Sequence, residues 1–78
     1  MSPAIDTPAG LGRAVRSARR RRGLRQEDLA LSAGTGMRFI GELERGKPTV
    51  QLAPTLRVLQ ALGVSLVLED GEDHDGDA

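Results

Sequence analysis

The sequence predicts an all-α domain of about four short helices, followed by one short β-strand. Apolar residues recur at helical spacing in four segments, and each segment is followed by a glycine. The run "VSLVL" (64–68) is rich in strand-forming residues. With 78 residues, the chain can form one small core. We divide it into a flexible N-terminus (1–7), a folded domain (8–68) and an acidic disordered tail (69–78).

The first two helices have recognisable start and stop signals. Thr7 can cap a helix that begins with Pro8, and Gly23 can end that helix in a left-handed conformation. A second helix is expected over residues 26–33. Arg25 falls at its N-cap, where a guanidinium accepts no hydrogen bond from the helix amides, so this helix is expected to start weakly.

The third helix is expected to start after Gly36 and to end before Gly46. A fourth helix is expected over residues 52–62. The leucines of the fourth helix are expected to form its inward stripe, and they are Leu52, Leu56, Leu59 and Leu62.

Two charged residues fall on the apolar sides of their helices. Arg19 lies beside Val15 on the first helix, and Glu44 lies beside Leu43 on the third. A buried arginine requires a carboxylate partner. We therefore expect Arg19 and Glu44 to form a structural ion pair between the two helices.

The strand-forming run has nothing to pair with in an otherwise helical chain. Its expected partner is the same strand of a second subunit, which would cover its unpaired edge. The sequence therefore predicts a homodimer with a small intersubunit sheet. The residues expected to form it are Val64, Leu66, Val67 and Leu68.

The zero net charge conceals a strongly polarised chain. Residues 1–50 carry ten Lys or Arg against five acidic residues, whereas residues 51–78 carry one Arg against six. A basic body indicates an anionic partner. The chain has no cysteine, no signal-peptide pattern and no long apolar run. We therefore expect a protein of the bacterial cytoplasm, associated with the nucleoid.

The stretch "LRQEDLALSAGTGMRFIGELERGK" (24–47) places a glycine-containing turn between two short helices. It resembles the Xre/Cro-type helix-turn-helix family, and the resemblance extends over residues 11–68. The continuation "PTVQLAPTLRVLQALGVSLVLED" (48–70) is most similar to the HipB-type antitoxins. The resemblance implies a lambda-repressor-like bundle, an inverted-repeat operator in double-stranded DNA, and a HipA-type kinase toxin as partner.

The resemblance also implies roles for individual residues. The start of the third helix would face base edges, where Arg38 suits a guanine, Met37 offers apolar contact and Glu42 either accepts from a cytosine amine or orients Arg38. The Arg19–Glu44 pair matches the family's ion pair. The resemblance makes Gln26, Arg45 and Lys47 phosphate contacts. Arg20, in the basic run 19–22, and Arg25, at the start of the second helix, are further expected phosphate contacts.

Three positions depart from the family pattern. Arg25 replaces a Ser or Thr cap, Gly36 replaces a polar cap, and Gly41 replaces a polar residue that often contacts DNA. The two glycines would allow close approach to DNA while removing side chains from the base-reading surface. Base specificity would then rest mainly on Arg38 and on DNA shape.

Other functions are disfavoured by what the sequence lacks. The chain has no cysteine, its one histidine lies in the tail, and the acidic tail does not match a calcium-binding loop. We therefore expect no enzyme activity, metal or cofactor. Two alternatives to the antitoxin hypothesis stay open: a stand-alone Xre-family regulator without a toxin, and a protein-interaction module that has lost DNA reading.

Overall fold

The computed structural model describes residues 4–70, and within them it shows an all-α domain of four helices. The predicted all-α class is therefore confirmed. In chain order the helices are α1 (Pro8–Arg21), α2 (Gln26–Ala33), α3 (Met37–Glu44) and α4 (Leu52–Leu62). None of these helices is long and apolar enough to cross a membrane.

Local hydrogen bonds explain where the first two helices begin. The Thr7 hydroxyl accepts a hydrogen bond from the Gly10 amide (2.9 Å), and Pro8 occupies the first helical position. At the start of α2, the Asp28 carboxylate accepts a hydrogen bond from the Arg25 backbone amide (2.8 Å). Asp28 thus supports the start of a helix that the Arg25 side chain does not cap.

The core receives side chains from all four helices. α2 packs against α3 and α4, and α1 packs mainly against α3. This arrangement buries the inward faces of α2 and α3 and fixes the angle between them. The largest fully buried side chains are Val15, Leu29, Ile40, Leu43, Val58 and Leu62.

Two glycines allow α1 to lie directly on the C-terminal end of α3. A Cβ atom on Gly12 would lie 2.5 Å from the Leu43 carbonyl oxygen and 2.6 Å from that of Glu44. Gly46 has a φ of +84°, and a Cβ atom there would lie 2.8 Å from Ala9 Cα. A larger residue at either position would push the two helices apart.

The predicted inward stripe of α4 is wrong in its first half. Leu52 and Leu56 are exposed (66% and 37%), and Thr55 is buried in their place. Burial of Thr55 is tolerated because its hydroxyl donates a hydrogen bond to the Gln51 carbonyl (2.7 Å). The residues of α4 that are buried are Thr55, Val58, Leu59 and Leu62.

The predicted strand over residues 64–68 is not present: residues 64–70 have no regular secondary structure. A strand needs a partner for its backbone hydrogen bonds, and residues 4–70 of a single chain offer none to this segment. Its apolar side chains Leu66, Val67 and Leu68 are exposed. The expected disordered tail lies outside the described residues, apart from Glu69 and Asp70, which are exposed.

Candidate DNA interface

The second and third helices form a compact unit joined by the three residues 34–36. Gly34 ends α2 with a φ of +71°, a left-handed conformation that favours glycine. The Thr35 amide donates a hydrogen bond to the Ala30 carbonyl (2.9 Å), which holds the turn against α2. Because Ile40 and Leu43 point into the core, the opposite side of α3 faces solvent.

The residues expected to read bases lie at the exposed start of α3. Met37 is half-exposed (54%), and the Arg38 side chain is almost fully exposed (90%). Gly36 lies just before them, and a Cβ atom added to it would have no other atom within 4 Å. The start of α3 is therefore open to a large partner.

Glu42 lies one turn further along α3 and contacts two cations. Its Oε2 accepts a hydrogen bond from Arg38 Nε (3.2 Å), and its Oε1 lies 3.4 Å from Lys47 Nζ. Burial by itself raises the pKa of Glu42, but the charges of Lys47 and Arg38 outweigh it and hold this pKa below its ordinary value. Glu42 is therefore ionised at neutral pH.

A second charged cluster lies beneath this surface. Arg19 Nε and Nη2 donate to Glu44 Oε2 and Oε1 at 2.6 and 3.0 Å, and both side chains are mostly buried. Arg19 Nη1 also donates to the Leu24 carbonyl (2.8 Å), and Gln26 Nε2 donates to Glu44 Oε1 (3.1 Å). The expected contact between Arg19 and Glu44 is thus present, and it joins α1, α2 and α3.

The bonds to Glu44 determine the protonation of this cluster. Burial by itself raises the pKa of Glu44, but the hydrogen bonds from Arg19 and Gln26 outweigh it and hold the pKa below its ordinary value. The hydrogen bond to Glu44 likewise raises the pKa of Arg19. Both groups are charged at neutral pH, and Gln26 at the N-terminus of α2 is oriented by them.

The remaining expected phosphate contacts are exposed cations. Arg20 lies on α1, and the Arg25 guanidinium lies 3.9 Å from the Glu27 carboxylate, a contact of two exposed groups that contributes little to stability. Arg45 and Lys47 follow α3 and are exposed. These side chains lie at the surface, where an anionic partner can reach them.

Gly41 does not form an open point on this surface. It is buried, and a Cβ atom there would lie 3.1 Å from Arg45 Nη1. The Arg45 side chain thus covers the position at which we expected DNA to approach most closely. Of the two expected approach points, Gly36 is open and Gly41 is covered.

Sequence reasoning missed Gly12, which determines how α1 meets α3. A signal for it was available, because Gly12 precedes Arg19 by seven residues, about two helical turns. The two residues therefore share the face that packs on α3. A helix-interior glycine on the same face as a buried ion pair indicates close helix packing.

An α2–turn–α3 unit with an exposed third helix and surrounding cations defines the class: a helix-turn-helix DNA-binding domain. A family model described as "Helix-turn-helix domain" matches residues 10–70. The chain is also 51% identical to the "Uncharacterized HTH-type transcriptional regulator y4mF" of Sinorhizobium fredii over 92% of this chain and 96% of that protein.

Two solved structures give the same class. A chain in the "Structure of HipA-HipB-O2-O3 complex" is 27% identical, with a TM-score of 0.83, over 91% of this chain and all of that chain. The restriction-modification controller protein C.AhdI from Aeromonas hydrophila is 33% identical, with a TM-score of 0.69, over 74% of this chain and 88% of that chain. This chain belongs to the Xre-type helix-turn-helix family and is a DNA-binding transcriptional regulator, not an enzyme.

Proposed function

We propose that this protein is a repressor that binds an inverted-repeat operator as a homodimer, with one α3 in each half-site. The observation that carries this proposal is the almost fully exposed Arg38 side chain at the open start of α3. Arginine can contact a guanine edge with two hydrogen bonds, which gives base discrimination. In this proposal Met37 and Arg38 face the bases, and Glu42 either accepts from a cytosine amine or orients Arg38.

The phosphate contacts in this proposal come from cations around α3 and from the start of α2. Gln26 lies where helix amides and the helix dipole favour an anion. Phosphate contacts set position and affinity without reading sequence. The proposed set consists of Gln26, Arg25, Arg20, Arg45 and Lys47.

The exposed C-terminal segment supports the dimer. Leu66 borders three shallow clefts, two of which also include Ile5 and Leu11. Exposed leucines beside an unpaired backbone are covered when the same segment of a second subunit pairs with it. In this proposal residues 8–68 form the DNA-binding and dimerisation domain, and residues 64–68 become a strand on dimerisation.

We further propose that the protein is a HipB-type antitoxin of a bacterial cytoplasm, which binds a HipA-type kinase toxin and represses the operon of both. Similarity to HipB over nearly the whole chain supports this proposal. Similarity to the restriction-modification controller protein C.AhdI supports the alternative of a stand-alone regulator. An adjacent reading frame for a kinase-like toxin would distinguish the two, and absence of DNA binding would favour a protein-interaction module.

Arg38→Ala and Lys47→Ala are expected to weaken DNA binding in different ways. Arg38→Ala should reduce discrimination between an operator and a shuffled duplex by about 1–3 kcal/mol per half-site, because a bidentate base contact is lost. Lys47→Ala should weaken binding to both duplexes and lower the salt slope by about 1 per subunit. Fluorescence anisotropy at several salt concentrations measures both effects. Equal effects of the two variants on discrimination would contradict the assigned roles.

Leu66→Asp is expected to convert the dimer to a monomer, because it places a charge in the apolar segment that the partner would cover. Leu31→Asp is the matched control, since Leu31 is an exposed leucine on α2 that does not border the clefts. Sedimentation velocity with a circular-dichroism check of folding measures the outcome. A Leu66→Asp protein that remains a dimer would place the interface elsewhere.

A further inference from the structure

Each carboxylate oxygen of Glu42 is engaged by a different cation. Arg38, four residues earlier on α3, occupies one oxygen, and Lys47, in the segment after α3, occupies the other. The Lys47 backbone amide also donates to the Glu42 carbonyl oxygen (3.0 Å), so main chain and side chain both tie Lys47 to Glu42. Glu42 therefore links the exposed start of α3 to the cationic segment that follows it.

The three side chains differ sharply in exposure. The side chain of Glu42 is 20% exposed, whereas those of Lys47 and Arg38 are 47% and 90% exposed. The carboxylate thus lies below two cationic groups that project further into solvent. A base edge that approaches α3 would meet Arg38 before it could reach the Glu42 oxygens.

The hydrogen bond that Arg38 Nε donates to Glu42 leaves the two terminal nitrogens of the guanidinium available to a base. Glu42 contacts the Nε of Arg38, and the two terminal nitrogens of this arginine make no hydrogen bond to residues 4–70. Two such nitrogens form the donor pair that matches the O6 and N7 acceptors of guanine. Holding Nε in place reduces the rotamer freedom that Arg38 would otherwise lose on binding.

Resting on the proposed function, we infer that Glu42 is a positioning and discrimination residue rather than a base reader. It orients Arg38 toward a guanine edge. Its negative charge among the cations also opposes docking of phosphates from DNA that offers Arg38 no correct base. Glu42 thereby raises the ratio of operator binding to non-specific binding through two separable effects.

The test uses two probes: a duplex selected by the wild-type protein from a random pool, and the same duplex with shuffled half-sites. Glu42→Gln is expected to bind the shuffled duplex more tightly, with a salt slope larger by about 1 per subunit. It is expected to lose about tenfold in discrimination, within the range of one bidentate contact. Unchanged binding to both duplexes would overturn the inference.

A double-mutant cycle separates positioning from direct reading. If Glu42 acts through Arg38, then Glu42→Asp, which keeps the charge, causes little further loss of discrimination in an Arg38→Ala protein. If Glu42 reads a cytosine itself, the two losses add, and the inference fails. Glu42→Asp keeps the charge but shortens the side chain, so it should lose discrimination while binding the shuffled duplex as weakly as wild type does.

Glu27→Gln is the matched control for charge alone. Glu27 is an exposed carboxylate on α2 that lies near Arg25 and makes no ion pair with Arg38. Its loss removes a charge beside a phosphate-contacting arginine without releasing Arg38, so it should lower discrimination less than Glu42→Gln does, and an equal loss in both variants would overturn the inference. A wild-type protein without sequence preference and salt dependence would overturn the proposed function as well. If the wild-type protein prefers the selected duplex but the losses of discrimination in the double-mutant cycle add, only the inference about Glu42 fails and the proposed function stands.

Discussion

Replacing Glu44 with alanine is expected to lower the free energy of unfolding by about 3–5 kcal/mol, because it leaves a buried arginine without its carboxylate. Arg19 and Glu44 are 11% and 4% exposed, so water replaces little of the lost contact. The variant also removes the acceptor for Gln26. Since small domains are only marginally stable, we expect a largely unfolded protein at 37 °C, measured by urea titration with circular dichroism.

Glu27→Ala is the control for this prediction. Glu27 is an exposed carboxylate 3.9 Å from an exposed arginine, and its removal should change the free energy of unfolding by less than about 1 kcal/mol. Equal destabilisation by Glu44→Ala and Glu27→Ala would show that the buried ion pair does not stabilise the domain.

The same ion pair predicts a pH dependence of stability. The pKa of Glu44 is lower in the folded chain than its ordinary value of about 4.3. The contribution of ionised Glu44 to the free energy of unfolding is therefore complete above about pH 4.3, and it is lost as pH falls through the lower pKa of the folded chain. A Glu44→Gln protein has no carboxylate to protonate at this position, so it should not show this loss. The difference in free energy of unfolding between wild type and Glu44→Gln should therefore become smaller in acid. A constant difference down to low pH would contradict the assignment.

Replacing Gly12 with alanine is expected to produce the second large loss of stability. The added Cβ would lie 2.5 Å from a backbone oxygen of α3, which cannot move aside as a flexible side chain can. Overpacking of this kind costs about 1–3 kcal/mol or more, and here it would separate α1 from α3. Thermal and urea unfolding measure the loss.

Gly41→Ala is the matched control, because Gly41 is also a buried glycine inside a helix. Its added Cβ would meet only the end of the Arg45 side chain, which can shift. The gain in helix propensity should then stabilise the protein by about 0.5–1 kcal/mol. Effects of the same sign at Gly12 and Gly41 would contradict the packing described for α1 and α3.

Sequence reasoning located the helices well because their ends have local causes. Thr7 with Pro8 starts α1, and Gly34 ends α2, through interactions within a few residues. The contact between Arg19 and Glu44 was predictable for a related reason: both lie on the apolar faces of their helices, and a buried charge requires a partner.

What the sequence did not reveal depends on contacts between distant segments. Leucine spacing predicted that Leu52 and Leu56 of α4 face the core, whereas packing against α2 buries Thr55 and leaves Leu52 exposed. The burial of Gly41 depends on where the Arg45 side chain lies, which spacing along α3 does not determine. The segment from Val64 to Leu68 has no pairing partner within residues 4–70, so the predicted strand does not form there.

The candidate site combines a buried, hydrogen-bonded base with exposed cations. The Arg19–Glu44–Gln26 cluster joins three helices beneath the surface, so α3 is presented at a fixed angle. Above it, Arg38 and Lys47 remain exposed and are held only through Glu42. This division is suited to a domain that presents oriented side chains to DNA from a fixed scaffold.

The most direct test of the central claim is a hydroxyl-radical footprint of the wild-type protein on the duplex that it selects from a random pool. A dimer with one α3 in each half-site predicts two protected segments related by two-fold symmetry. Their centres should lie about one helical turn apart, about 34 Å. A single protected segment, uniform protection or no protection at all would contradict the claim that this protein reads an inverted-repeat operator through α3.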